Sequence, residues 1–325
     1  MHKKPLHSKR LILIFLFLSL FLLSLFIGVS SISFTDLITR DERAWHVLLT
    51  SRLPRTMAII LSASGLSIAG LIMQSIGQNR FIAPSTIGTT DAALFGVLLT
   101  FLLLGSASLL IKLSFAFVFA LLSSLMFMTL LSKLHFKEPI YVPLIGMMYG
   151  SIIGAFTTFV AHRYDALQVL SSIGLGSFTN ITSGRYELLW IILVPLLFAY
   201  VFSSTFSLLR LGEDFATNLG VAYKKVVFLG LVIVAIVSAA SYVVVGPLPF
   251  VGLVIPNLIS IYYGDNMQKS MIDLALFGSI YILANDILSR LLIFPYEISV
   301  SFMMGITGSI LFIYLIFRRG KYATS

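Results

Sequence analysis

The chain has 325 residues, of which 58% are hydrophobic and only 11% charged; a soluble domain carries about twice that share of charge, so a soluble globular protein is excluded. The apolar residues fall in runs of about 20, the length that crosses a bilayer as one helix, and about ten such helices leave no room for a fused ATPase, receptor or large enzyme domain. The lack of cysteine removes disulfides and thiolate sites, and the net charge of +9 lies beside apolar runs, where lipid headgroups rather than nucleic acid are the partner.

A basic stretch, 1–10, precedes the first apolar run at 11–29. That run is long for a signal-peptide core and no small-residue cleavage site follows it, so a retained first helix is expected. Further spans are predicted at 56–76, 86–104, 109–131, 139–161, 188–207, 226–245, 248–263, 272–292 and 299–317. The pattern puts both termini on one side. Placing them in the cytoplasm gives that side the larger share of Lys and Arg. The 248–263 run is short and begins among Gly246, Pro247 and Pro249. Proline removes a helix hydrogen bond, and broken backbone at membrane depth must be buried in protein or line a cavity, as it does in transporters. No linker divides the chain, so 1–325 reads as one transmembrane domain.

The residue types needed for catalysis are missing. None of the five histidines pairs with another histidine or a carboxylate at metal-ligand spacing, and neither Gly-x-Ser-x-Gly nor a Walker A pattern occurs. Uphill transport would therefore draw on an ATPase in another chain or on an ion gradient. Ion-driven carriers place acids mid-membrane. Asp91 and Asp286 are the candidates, and satisfaction by nearby backbone or hydroxyl groups accounts for them equally well.

Gly146, Gly150 and Gly154 recur every four residues, with Ser151, Thr157 and Thr158 on the same helix. This puts a small-residue face on one side, suited to close helix packing, a subunit interface or a passage wall. Between two spans lies a polar, Gly-bounded segment: Leu211, Gly212, Glu213, Asp214, Phe215, Ala216, Thr217, Asn218, Leu219 and Gly220. Its acids suit a first helical turn and Gly220 suits a C-terminal stop. A short helix with exposed Phe215 and Leu219 would fit a partner's groove; a plain amphipathic connector is the other reading.

The stretch SRLPRTMAIILSASGLSIAGLIMQSIGQNRFIAPSTIGTTDAALFG (51–96) resembles the second and third helices of iron–siderophore and vitamin B12 ABC importer permeases. The resemblance continues through LGEDFATNLGV (211–221), VVGPLPFVGLVIPNLIS (244–260) and NDILSRLLIFPYEISVSFMMGITGSILFIYLIFRR (285–319). It implies an all-α integral membrane protein of about ten helices with the type II importer permease fold and cytoplasmic termini. It further implies a second permease, two cytoplasmic ATPase subunits that hold the ATP, and an extracytoplasmic binding lipoprotein, with no cofactor on this chain. By the same resemblance Arg52, Arg55 and Arg290 are exposed arginines that dock the binding protein, and Leu211 to Gly220 is the helix that couples to the ATPase. Asn79, Arg80 and Phe81 correspond to the family's Asn-Pro-Leu cytoplasmic gate, with the proline replaced. The Pro256-Asn257 and Gly264-Asp265-Asn266 variant, with Phe294-Pro295-Tyr296-Glu297, is similar to permeases for ferric anguibactin and petrobactin. That implies a ferric siderophore with catechol groups, a paralogous permease as partner, and haem or cobalamin as the other substrates in view. Abundant Lys, Ile and Phe with scarce Ala suggest a Gram-positive cell membrane.

Overall fold

The computed structural model describes residues 6–30, 33–133, 141–263 and 267–323, and among them every regular element is helical. The first helix, α1 (Leu6–Phe26), is followed by two short ones, α2 (Phe34–Ile38) and α3 (Glu42–Val47). A π-turn, Leu48–Arg52, carries α3 into α4 (Leu53–Ile76). Then come α5 (Thr89–Leu104), α6 (Leu109–Lys133), α7 (Tyr141–Arg163) and α8 (Leu167–Ile173). A 3-10 stretch, Tyr186–Ile192, leads into α9 (Leu193–Val201), α10 (Ser203–Leu209) and α11 (Glu213–Asn218). The chain closes with α12 (Tyr223–Val245), α13 (Val251–Tyr263), α14 (Met267–Leu291) and α15 (Val300–Ala323).

Among the described residues six helices are long and apolar enough to cross a membrane, or seven if the pair Tyr186–Val201 and Ser203–Leu209, bent by 69°, counts as one span. Three further predicted runs form shorter apolar helices, Arg10–Phe26, Thr89–Leu104 and Val251–Ile261. Two of these are cut short by backbone that cannot continue a helix. The left-handed Gly88 opens α5, and Gly246 with Pro247 and Pro249 separates α12 from α13. The second span starts well before position 56. Helix runs from Glu42 to Ile76, and its first part escapes a hydropathy reading because Glu42, Arg43, His46, Arg52 and Arg55 fall in it.

α4 is the centre of the bundle: 83% of its apolar window is buried, against 28% for α6 and α15 and 22% for α7. The apolar side chains left outward on α1, α7 and α15, such as Phe15, Ile152, Phe159 and Phe317, suit contact with lipid tails or another subunit. α4 packs on α13 through two glycines. A Cβ at Gly70 would fall onto the backbone of Gly252, so only residues without side chains permit this crossing. Gly70→Leu is expected to cost at least about 1–3 kcal/mol, read as a lower unfolding midpoint in detergent and loss of the monodisperse peak.

α14 runs antiparallel to α4. Asp273 near its start and Arg290 near its end stand about 25 Å apart at a rise of about 1.5 Å per residue, close to the thickness of a bilayer's hydrocarbon core. Both hold α1. At one end Arg10 forms a two-pronged pair with Asp273, Nε to Oδ1 at 3.0 Å and Nη2 to Oδ2 at 2.9 Å. At the other, Arg290 reaches the last carbonyls of α1. The bundle thus has an Arg290 end and an Asp273 end; the predicted arginines lie at the first, and the 79–81 turn and the 211–220 segment at the second.

Candidate functional site

At the Arg290 end, Arg52, Arg55 and Arg290 come together, but not as exposed groups: they are 7%, 5% and 2% exposed. The exposure expected for these groups is corrected by their burial: Arg55 and Arg290 sit in ion pairs and Arg52 lies on backbone carbonyls. Arg55 donates from Nε at 3.2 Å and Nη2 at 2.8 Å to Oδ1 of Asp286. Its Nη1 donates to both oxygens of Glu297 at 2.9 Å. Arg290 pairs with Oδ2 of the same Asp286, one helical turn earlier on α14. Glu297 also accepts from the Thr179 hydroxyl at 2.6 Å.

The remaining donors serve backbone. Helix C-termini leave carbonyls without intrahelical partners, and cations are favoured there. Arg290 Nη1 takes the carbonyls of Ser24 and Ile27, at 3.0 and 2.8 Å, and its Nη2 bonds Ser24 Oγ at 2.7 Å. Arg52 takes Ile27 at 2.7 Å and Ser30 at 3.1 Å. A Cβ at Gly28 would coincide with the Arg52 guanidinium, so the glycine makes this approach possible. Three arginines face two carboxylates, so the cluster keeps one positive charge in excess, and Arg52 Nε has no hydrogen-bond partner among the described residues. Asp286, expected as a candidate for ion coupling, is fully buried between two guanidinium groups. Asp91 sits at the third position of α5, where a helix N-terminus favours a carboxylate, beside Gly150.

At the opposite end, α4 stops with two crossed hydrogen bonds, Asn79 N–H to the Gln74 carbonyl (3.1 Å) and Gln78 N–H to Ser75 (3.4 Å). This is the Schellman arrangement, and it requires a left-handed residue; here that residue is Gln78, φ 48°. Asn79 then accepts the Phe81 N–H on Oδ1 at 2.8 Å, an Asx turn that replaces the constraint a proline would give. The turn is pinned from α13, where Asn257 Nδ2 donates to the Arg80 carbonyl at 2.7 Å, and Phe81 packs edge-on against Phe312 of α15 with ring centres 6.0 Å apart.

The 211–220 segment lies at this same end. Its helix is α11, with Gly212 before it at φ 95° and Gly220 after it at φ 82°. Val221 N–H bonds the Ala216 carbonyl at 3.0 Å and Gly220 N–H bonds Thr217 at 2.9 Å, so this helix ends in the same Schellman pattern, now with glycine in the left-handed slot. Ala216 alone is buried. Leu211, Phe215 and Leu219 are 53%, 69% and 61% exposed, and Glu213 and Asp214 are exposed on the first turn. A short helix fixed at both ends by glycine and presenting unburied aromatic and aliphatic side chains has the form of a docking element.

Over residues 13–318 the chain matches the model of the FecCD transport family. It belongs to that family. It is similar to the petrobactin import system permease protein YclN of Bacillus subtilis, 44% identical over 312 residues covering 95% of this chain and 99% of the relative. It is also similar to the ferric-anguibactin transport system permease protein FatD of Vibrio anguillarum, 36% identical over 309 residues, 95% and 98% of the two chains. Among solved structures, an inward-facing metal-chelate-type ABC transporter matches with a TM-score of 0.79 at 26% identity, covering 94% of this chain and 97% of that one.

Within this FecCD chain the small-residue face of α7 divides. Gly146 and Gly150 are buried against the chain's own 84–91 segment, where an added Cβ would meet the Thr86 carbonyl and the Asp91 carboxylate. Thr157 is buried with them, whereas Ser151 and Thr158 are exposed and Gly154 borders open space. Two residues of the charged cluster, Asp286 and Glu297, were missing from the docking set read in the sequence. The spacing of four between Asp286 and Arg290 was a signal for one of them. Nothing local links Glu297 to Arg55, which are 242 positions apart. The motif residues 264–266 lie outside the described residues.

Proposed function

We propose that this chain is the membrane-spanning permease subunit of an ATP-binding-cassette importer for a ferric siderophore, catecholate in type. It acts as a transporter subunit and not as an enzyme, and binds no cofactor of its own. A paralogous permease completes the pathway, two ATPase subunits bind and hydrolyse the ATP, and an extracytoplasmic lipoprotein delivers the substrate. The chain forms one transmembrane domain of ten helices in the cell membrane, of a Gram-positive bacterium, with both termini in the cytoplasm.

The observation that carries the reading is α11, whose exposed Phe215 and Leu219 make a ready contact for an ATPase groove. End-to-end similarity to permeases whose names specify petrobactin and anguibactin supports the substrate class. With α11 cytoplasmic, the 79–81 turn is the inner gate. The exposed face of α7, with Ser151, Gly154 and Thr158, meets the second permease or the passage, while Gly146, Gly150 and Thr157 hold α7 to its own subunit.

The buried arginine cluster then lies at the extracytoplasmic face. Its surplus positive charge attracts acidic residues of the binding protein, since exposed and near-surface charge governs encounter more than affinity. Arg52 supplies that surplus: Arg55 and Arg290 pair with Asp286 and Glu297, and Arg52 pairs with no carboxylate among the described residues. The test of substrate class is uptake of radio-iron by cells that depend on this permease. Ferric petrobactin is expected to enter and to be competed by other ferric catecholates. Uptake of haem or cobalamin instead would contradict the catecholate assignment.

A further inference from the structure

We propose that Gln78 is the positioning residue through which movement of α11 reaches the 79–81 turn. The inference rests on the reading of α11 as the ATPase-docking helix and of that turn as the inner gate.

The first observation is the backbone. The left-handed slot at the end of α4 is a place for glycine, as Gly220 shows at the end of α11, and a side chain there is disfavoured. Gly77 immediately precedes the slot, yet glutamine fills it. A long polar side chain held at that cost has a use in the surroundings it reaches.

Those surroundings are the two flanks of α11. The Gln78 amide lies over Gly212, the residue that opens α11; a Cβ at Gly212 would stand 3.7 Å from its Oε1 and 3.8 Å from its Nε2. Tyr223, just beyond the other end of α11, lines the same cavity as Gln78. One turn earlier on α4, Ser75 Oγ accepts from Arg210 Nε at 3.1 Å. The chain before α11 is therefore fastened to residues 75–78, and the chain after it faces Gln78 across a shared cavity. Beyond Gln78 there is no slack: Asn79 closes the Asx turn at once, and Asn257 fixes the next carbonyl. A cavity of about 390 Å³, bordered by Gln78, Glu213, Tyr223 and Ser132, leaves the amide room to shift with α11.

Coupling carried by one contact and coupling spread over many make different predictions. The test uses the assembled transporter, with its second permease, ATPase and binding protein, in proteoliposomes with ferric petrobactin. Gln78→Gly removes the amide and relieves the left-handed backbone, so lost folding cannot explain its effect. It is expected to keep ATPase association, and ATP hydrolysis within about twofold of wild type, while uptake per ATP falls by about tenfold. Unchanged uptake per ATP in Gln78→Gly overturns the proposal. So does a parallel fall of uptake and hydrolysis, which would mean that Gln78 only supports assembly. Thr217→Pro, which breaks α11 itself, tests the underlying reading: if that variant keeps its ATPase and its coupling, α11 is not the docking helix, whatever Gln78 does.

Discussion

Asp286→Ala is expected to destabilise the protein by about 3–5 kcal/mol, because it leaves buried guanidinium groups without their counter-charge. Asp286 is fully buried and is the carboxylate shared by Arg55 and Arg290. Glu297 still serves Arg55 after the substitution, but no other described carboxylate pairs with Arg290. Arg290 also holds the end of α1, so the loss propagates to a helix that arginines fasten to α14 at both ends. Asp286→Asn keeps the side-chain shape and one of the two acceptor oxygens but loses the charge, and should fall between the two. Thermal unfolding of the purified protein in detergent reads the order wild type, Asn, Ala. An alanine variant as stable as wild type would mean that water or lipid headgroups already satisfy these arginines. The burial reverses what exposed arginines would imply: single exposed pairs contribute about 0.2–1 kcal/mol and tolerate substitution.

The second large effect is expected at the other end of the bundle and on assembly rather than folding. Phe215→Asp with Leu219→Asp places carboxylates on a surface that is already exposed, so the fold should be kept. Buried aromatic anchors in protein interfaces commonly contribute about 2 kcal/mol or more, roughly a thirtyfold change in affinity. The double variant should therefore insert and unfold like wild type while losing the ATPase on purification. Normal recovery of the ATPase would assign α11 to a connector role.

Much of this was legible in the sequence, for identifiable reasons. Helix is the span structure open to an isolated apolar run in lipid, so the runs marked the helices. The Gly-bounded 211–220 segment announced its own ends, because glycine in the left-handed slot is a local signal. What stayed hidden was non-local. Whether Arg55 meets solvent or Asp286 depends on how α4 lies on α14, and residues 231 positions apart carry no spacing rule. The glycines of α7 show the same limit: their period predicts one face, and it takes the neighbouring 84–91 segment to decide that Gly146 and Gly150 are internal and Gly154 is not. Gln78 was passed over because a glutamine after a glycine has no unusual composition; its left-handed backbone appears only with coordinates.

The claim at the centre of this account is that transport through this chain is driven by ATP hydrolysed on another subunit. The direct measurement is ferric petrobactin uptake into proteoliposomes of two kinds. One set holds this chain with its second permease and ATPase, with ATP on the ATPase side and loaded binding protein on the other. The second holds this chain alone under a proton or sodium gradient. The account predicts uptake in the first set, abolished by omitting ATP or the ATPase, and none in the second. Gradient-driven uptake by this chain alone would contradict it and would make the protein a secondary carrier.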